Sequence, residues 1–200
     1  MKNFLIVVEG IADEVFISQY FRHIFGYEAP DSCFVKTDGK DNRQTATNRM
    51  REMSANGGIS LVIFDADKDI DKRRAELLQW KEDENLDFEL FLMPNDKDSG
   101  ALEKLLENII NPNNRPIMEC WENYEKELVK LDIPGRTPPP LTTPAKKTKI
   151  YGYLEALLGE SKTQKDQIKE RYRKYDNIKH WNLYGEYLDP LKKFLTKYLK

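Results

Sequence analysis

Aspartate occupies every second position from Asp65 to Asp69 in LVIFDADKD (residues 61–69), directly after the apolar run Leu61–Phe64. A glutamate, Glu9, likewise follows the apolar run FLIVV at residues 4–8. Carboxylates are hard oxygen donors. Brought together, Glu9, Asp65 and Asp67 would repel one another, raising their pKa values or destabilising the fold, and a divalent cation such as Mg2+ offsets that repulsion. Asp13, four residues after Glu9, opens the next helical pattern and can point to the same place. Metal ions held this way polarise a phosphodiester and stabilise its leaving oxygen, with water as the attacking group and Glu9 as a further ligand or proton carrier. Taken alone, a DxD pair is also a common way to shape a strand-to-helix turn or cap a helix. Acids behind two separate apolar runs favour the metal site.

Apolar runs and helical spacing say how such residues would be positioned. FLIVV, LVIF and FELFLM (88–93) read as buried strands, and CFVKT (33–37) as a fourth. Between them Val15, Phe16, Ile17, Tyr20, Phe21, Ile24 and Phe25 recur at helical spacing, and residues 43–55 and 70–85 suit polar-faced helices. The order β-α-β-α-β-α-β-α implies a parallel sheet between helices, with ligands gathering at the C-terminal ends of the strands. An α/β core over residues 1–110 is therefore expected, followed by a mainly helical extension over 111–200 packed on it. Within the extension PGRTPPPLTTP (134–144) carries five of the ten prolines and reads as a crossing loop or linker. The helices on either side of it are marked by PIMECWENYEKELVKL, by Ile150, Tyr153, Leu154, Leu157 and Leu158, and by Leu188, Leu191, Phe194, Leu195 and Tyr198.

Composition narrows the function classes. Hydrophobic content of 40% with 33% charged residues fits a globular chain with extensive solvated helix surface. Five apolar residues before Glu9 are too few for a signal-peptide core, and no run approaches the roughly 18 needed to cross a membrane, so a cytoplasmic protein is expected. Cys33 and Cys120 form no CxxC pair and read as reduced core thiols. Residues 145–200 hold 14 Lys/Arg against 7 Asp/Glu, which leaves the front of the chain acidic. An acidic front concentrates cations and a basic rear can contact phosphates. In the rear, Lys165, Lys169, Arg171 and Arg173 alternate with Tyr172, Tyr175 and Trp181. That pattern suits nucleic-acid phosphates and bases, or equally a helix with a solvated basic face and buried aromatics. Lys40 in DGKDN is a further phosphate candidate, and a plain turn is the alternative there.

With VVEGIADEVFI and VIFDADKD in place, the chain resembles the Toprim superfamily, the metal-binding catalytic fold of topoisomerases, bacterial primases and OLD-type nucleases. The resemblance covers about residues 1–110. It implies a Rossmann-like four-stranded parallel sheet in which a strand-end glutamate, here Glu9, joins a later DxD pair, here Asp65 and Asp67. The EGxxD spacing, with Asp13 as second acid, is most similar to small stand-alone OLD-like proteins. The resemblance further implies Glu103, in SGALEKLL, as an added ligand, and Mg2+ as the ion, with Mn2+ as its substitute.

That likeness implies a metal-dependent nuclease acting on DNA or RNA, with Glu9, Asp65 and Asp67 as catalytic residues. A topoisomerase would need a strand gate for which two hundred residues leave no room, and a primase the zinc module and added polymerase domain expected around its Toprim core, so neither activity is expected. No GxxxxGK[ST] loop occurs, so an ATPase partner of the OLD type would be a separate chain. Self-association stays open. The alternative is a non-catalytic Toprim module that binds nucleic acid or a protein partner. A haloacid-dehalogenase-like phosphatase is disfavoured because its DxD belongs on the first strand.

Overall fold

A computed structural model describes residues 3–38, 42–135 and 141–199. Four parallel strands form one sheet in the order β2-β1-β3-β4: β1 Phe4–Val8, β2 Phe34–Lys36, β3 Ile59–Asp65 and β4 Glu89–Met93. The crossovers are α1 (Ile11–Phe25), α2 (Arg43–Ala55) and α3 (Ile70–Asp83). The expected α/β class and four-stranded parallel sheet are therefore present. β2 is shorter than CFVKT because Asp31–Cys33 close a 3-10 turn before the strand starts.

Strand alternation divides the core into two layers. Phe4, Ile6 and Val8 of β1, with Leu61, Ile63, Phe91 and Met93, face α1; Leu5 and Val7, with Val62, Phe64 and Leu92, face α2 and α3. The second layer is small and closed by Ala46, Met50, Leu77 and Trp80. The first is larger because α4 (Leu102–Asn108), at the end of the core, and the extension's α5 (Arg115–Leu128), α6 (Lys146–Leu157), short α7 (Lys162–Asp166) and α8 (Asp189–Leu199) join it. Leu102, Leu105, Met118, Ile150, Leu154, Leu191 and Leu195 are all buried there.

The basic, aromatic stretch of the extension is not one helix. After α7 the chain passes through a 3-10 turn at Glu170–Tyr172 and then runs irregularly. Its buried side chains, Ile168, Arg173, Tyr175 and Trp181, do not recur at helical spacing. Gln19 of α1 fastens this stretch, donating to the Arg173 carbonyl at 2.8 Å and accepting from the Tyr175 amide at 2.7 Å. Tyr175 then meets Phe16 edge-on at 5.1 Å, and Trp181 lies between Tyr153 and Tyr175 at 5.4 and 5.7 Å. Both thiols are free, but Cys120 is exposed on α5 rather than in the core, since only Met118 of that helix is buried. No helix among the described residues is long and apolar enough to cross a membrane.

Because Trp181 is 1% exposed and joins the extension to the α1 layer, Trp181→Ala should lose about 3–5 kcal/mol of stability. Urea titration followed by circular dichroism checks this, and wild type should unfold in one transition. Separate transitions for sheet and extension would contradict a shared core.

Candidate metal and phosphate site

The sheet reverses its direction of growth between β1 and β3, since β2 lies to one side of this pair and β4 to the other. The C-terminal ends of those two strands flank the crevice where doubly wound sheets hold ligands. Val8 pairs in register with Ile63, so Glu9 leaves β1 next to Asp65 at the end of β3. The link is direct: Glu9 Oε2 accepts the Asp65 amide hydrogen at 3.4 Å.

Asp65 turns its carboxyl the other way along the edge, where Oδ1 accepts the Leu102 amide at the start of α4 at 3.0 Å. Asp13 sits in the first turn of α1 with Oδ2 accepting from the Gly10 amide at 2.9 Å, and only 6% of the residue is exposed. Burial, then the charges of Asp13, Glu9 and Glu103, push the Asp65 carboxyl up to about 9. Burial, then Glu9, Glu103 and Glu170, push Asp13 up to about 7, against the Gly10 hydrogen bond. Glu9 is also raised, chiefly by burial, with Arg73 opposing the rise. Glu9, Asp13, Asp65 and Glu103 thus lie within one another's field. The acidic edge holds protons near neutral pH that isolated carboxylates would have lost.

The DxDxD run divides its labour. Asp65 faces the edge and Ala66 is fully buried in the α2/α3 layer. Asp67 has φ of 56° and a side chain 63% exposed, and bridges to Gly100. Asp69 caps α3, accepting from the Lys72 amide at 3.0 Å. The turn use of aspartate, the alternative for the DxD pair, fits Asp67 in its left-handed turn position, and the cap itself is made by Asp69. Asp96 and Asp98 are loop acids paired with Arg74 at 2.9 Å and Lys104 at 3.6 Å.

Three participants escape the sequence pattern. Arg73, one helical turn past the Asp69 cap, ion-pairs with Glu9, lies 3.6 Å from Asp67 Oδ2 and donates through Nε to the Asp65 carbonyl at 3.3 Å. Glu170 enters from the extension, its side chain 19% exposed and paired with Lys147 of α6. The pair raises the Lys147 ammonium above its ordinary value, first through their hydrogen bond. Arg73 and Arg74 are adjacent in sequence and only one reaches the acids, while Glu170 and Lys147 meet through the tertiary fold. Charge pattern alone carried no signal for any of them.

Among the described residues no three His, Cys, Asp or Glu side chains are arranged to hold one ion between them. The donor chemistry nonetheless suits a hard divalent ion, being carboxylate oxygen throughout. Arg73 holds one oxygen of Glu9 and lies 3.6 Å from Asp67 Oδ2, while Asp65 Oδ1 is turned to the Leu102 amide. Beside these residues an open cleft of about 480 Å³ is lined by Asp67, Lys68, Asp69, Lys72, Arg73 and Glu76.

A family model described as "Protein of unknown function (DUF3226)" matches residues 3–199. The chain belongs to the DUF3226 family. Comparison with curated proteins and with solved structures finds no match. The DUF3226 match runs through core and extension alike, so it includes the residues that bring Lys147 and Glu170 to the acids.

Of the basic residues expected to meet nucleic acid, Lys165 and Arg171 are exposed, and Lys169 is exposed but paired with Asp166 at 2.7 Å. Arg173 is a correction. It is 4% exposed, donates to the Ile168 carbonyl at 2.8 Å and lies against Tyr151 and Tyr175, so it holds the extension together rather than facing solvent. Lys40 lies outside the described residues.

The raised carboxyls fix a pH dependence. An unfolded aspartate titrates near 3.9, so between pH of about 4 and 9 the folded protein binds protons that the unfolded chain releases, and stability falls as pH rises. In EDTA the melting temperature should therefore fall from pH 5 to pH 9. Asp65→Asn, which keeps an acceptor for Leu102, should melt higher than wild type at pH 8, by about 2–4 °C per kcal/mol regained, and by less at pH 5. Differential scanning fluorimetry across pH checks both; a variant that melts lower at pH 8 would refute the repulsion.

Proposed function

We propose that this chain is a Toprim-like, Mg2+-dependent hydrolase of nucleic-acid phosphodiesters. The observation that carries the reading is the convergence of Glu9, Asp13, Asp65 and Glu103, from three separate segments, at the β1/β3 switch point, where burial and neighbouring carboxylates push Asp13 and Asp65 up to about 7 and about 9. Asp65 and Asp67 would hold the ion with Glu9, and Asp13 and Glu103 are the further carboxylates within reach of its charge. Mg2+, or Mn2+ in its place, supplies positive charge against the phosphoryl oxygens of the substrate.

The chain's own groups do the rest. Glu9, at the edge of the burial and beside Asp65, accepts the proton of the attacking water. Lys147, 54% exposed and paired with Glu170, offers an ammonium to a neighbouring phosphate. Exposed Lys165 and Arg171 extend that charge along the extension, which makes binding weaken as salt rises. The resemblance to stand-alone OLD-like Toprim proteins supports the same reading, and with it a cytoplasmic location and a separate ATPase chain as partner. A second reading, a non-catalytic module that binds nucleic acid, is favoured by one observation: Arg73 already neutralises Glu9.

Purified protein should cleave labelled single- or double-stranded DNA or RNA with Mg2+ or Mn2+ and not with EDTA. Glu9→Gln and Asp65→Asn should each lower the rate by roughly 10²-fold or more. Cleavage undiminished in both variants would place the activity elsewhere, and salt-sensitive binding without cleavage would select the second reading.

A further inference from the structure

Arg73 makes more contacts at the acidic edge than its surface position on α3 requires. Its Nη2 meets Glu9 Oε1, its Nε bonds the Asp65 carbonyl at 3.3 Å and lies 3.6 Å from Asp67 Oδ2, and its guanidinium rests 5.6 Å from the centre of the Phe64 ring. Only 16% of the side chain is exposed. Arg74, the next residue, bears the same charge but turns away to Asp96.

A guanidinium on the carboxylates of Glu9 and Asp67 stands where an ion shared by those groups would have to stand. A divalent ion needs its oxygens at roughly 2.0–2.6 Å, and a carboxylate oxygen already accepting from a guanidinium is closed to it on that side. Two cations side by side would also repel. Arg73 has a second anion within reach, since its Nη1 is 3.6 Å from Glu76 Oε2, one turn further along α3 on the rim of the cleft.

We propose that Arg73 and a divalent cation exchange at Glu9 and Asp67, the guanidinium passing to Glu76 as the ion takes its place. Arg73 is then the residue that sets how tightly the acids take their ion. It acts as a built-in competitor, holding the carboxylates together and demanding a doubly charged ion to displace it. The proposal rests on the reading of these acids as a cation site. Its consequences for binding are separate from whether any bond is cleaved.

The test is Mn2+ titration of the full chain by calorimetry, with Mg2+ as competitor, in wild type, Arg73→Gln and Arg74→Gln. The Arg74 variant carries the same change in net charge without touching the acids. Exchange requires Arg73→Gln to bind Mn2+ more tightly than wild type, by about 5- to 150-fold if the side chain's effect matches an ordinary coupling energy. Arg74→Gln should stay within about two-fold of wild type. Urea unfolding of each variant confirms that it folds. In wild type the 15N resonance of Arg73 Nε, assigned by its loss in Arg73→Gln, should shift as Mg2+ is added. Equal or weaker Mn2+ binding by folded Arg73→Gln, or an equal gain in Arg74→Gln, would overturn the exchange and leave the cation site standing. Absence of Mn2+ binding in all three proteins would overturn both.

Discussion

Carboxylates drawn out of water resist ionising and repel their neighbours, and the polar edge of this molecule is arranged around that constraint. In-register pairing of β1 with β3 brings Glu9 against Asp65, and the first turns of α1 and α4 add Asp13 and Glu103. Nothing in the packing of an α/β sheet demands this arrangement. Asp65 could be any residue able to end a strand, yet its carboxyl is buried among three others and pushed up to about 9. A group with strongly displaced titration, beside a specific charge partner in a crevice, is a candidate for a functional site.

The compensations come from three sources. Backbone amides of Gly10, Asp65 and Leu102 each donate to one of the carboxylates. Arg73 brings a fixed positive charge from α3, and Lys147 brings another from α6 by way of Glu170. These two charges come from helices on opposite faces of the sheet, because α3 belongs to one core layer and α6 to the other. The extension is therefore part of the electrostatics of the site as well as part of the core.

The strands were legible because each is a short apolar run ending in a polar residue, and β-branched runs flanked by helical spacing have few other ways to bury both faces. Glu9, Asp65 and Asp67 could be singled out for the same reason: a charged residue at the end of such a run must leave at the sheet edge. Beyond that point the sequence is ambiguous for physical reasons. Asp67 and Asp69 look alike, but one takes a left-handed backbone and the other caps a helix. Arg73 and Arg74 are neighbours roughly 100° apart on a helix, and only the register of α3 on the sheet decides which meets the acids. Arg173 reads as a surface cation because its neighbours are cations, whereas its guanidinium is held by a carbonyl and two tyrosine rings.

The unequal cover of the two sheet faces also sets an order of events during synthesis. Ala46, Met50, Leu77 and Trp80 lie between the strands in sequence, so the α2/α3 face can close once β4 has been made. The α1 face needs Ile150, Tyr175, Trp181, Leu191 and Leu195, which come after Met93 by as much as roughly a hundred residues. At about 5–20 residues per second, a ribosome takes roughly 5–20 s to deliver them. Through that interval Phe91 lacks Phe194 of α8, and the part of this face that α1 does not cover stays open. This half-dressed sheet is the form that a chaperone would meet.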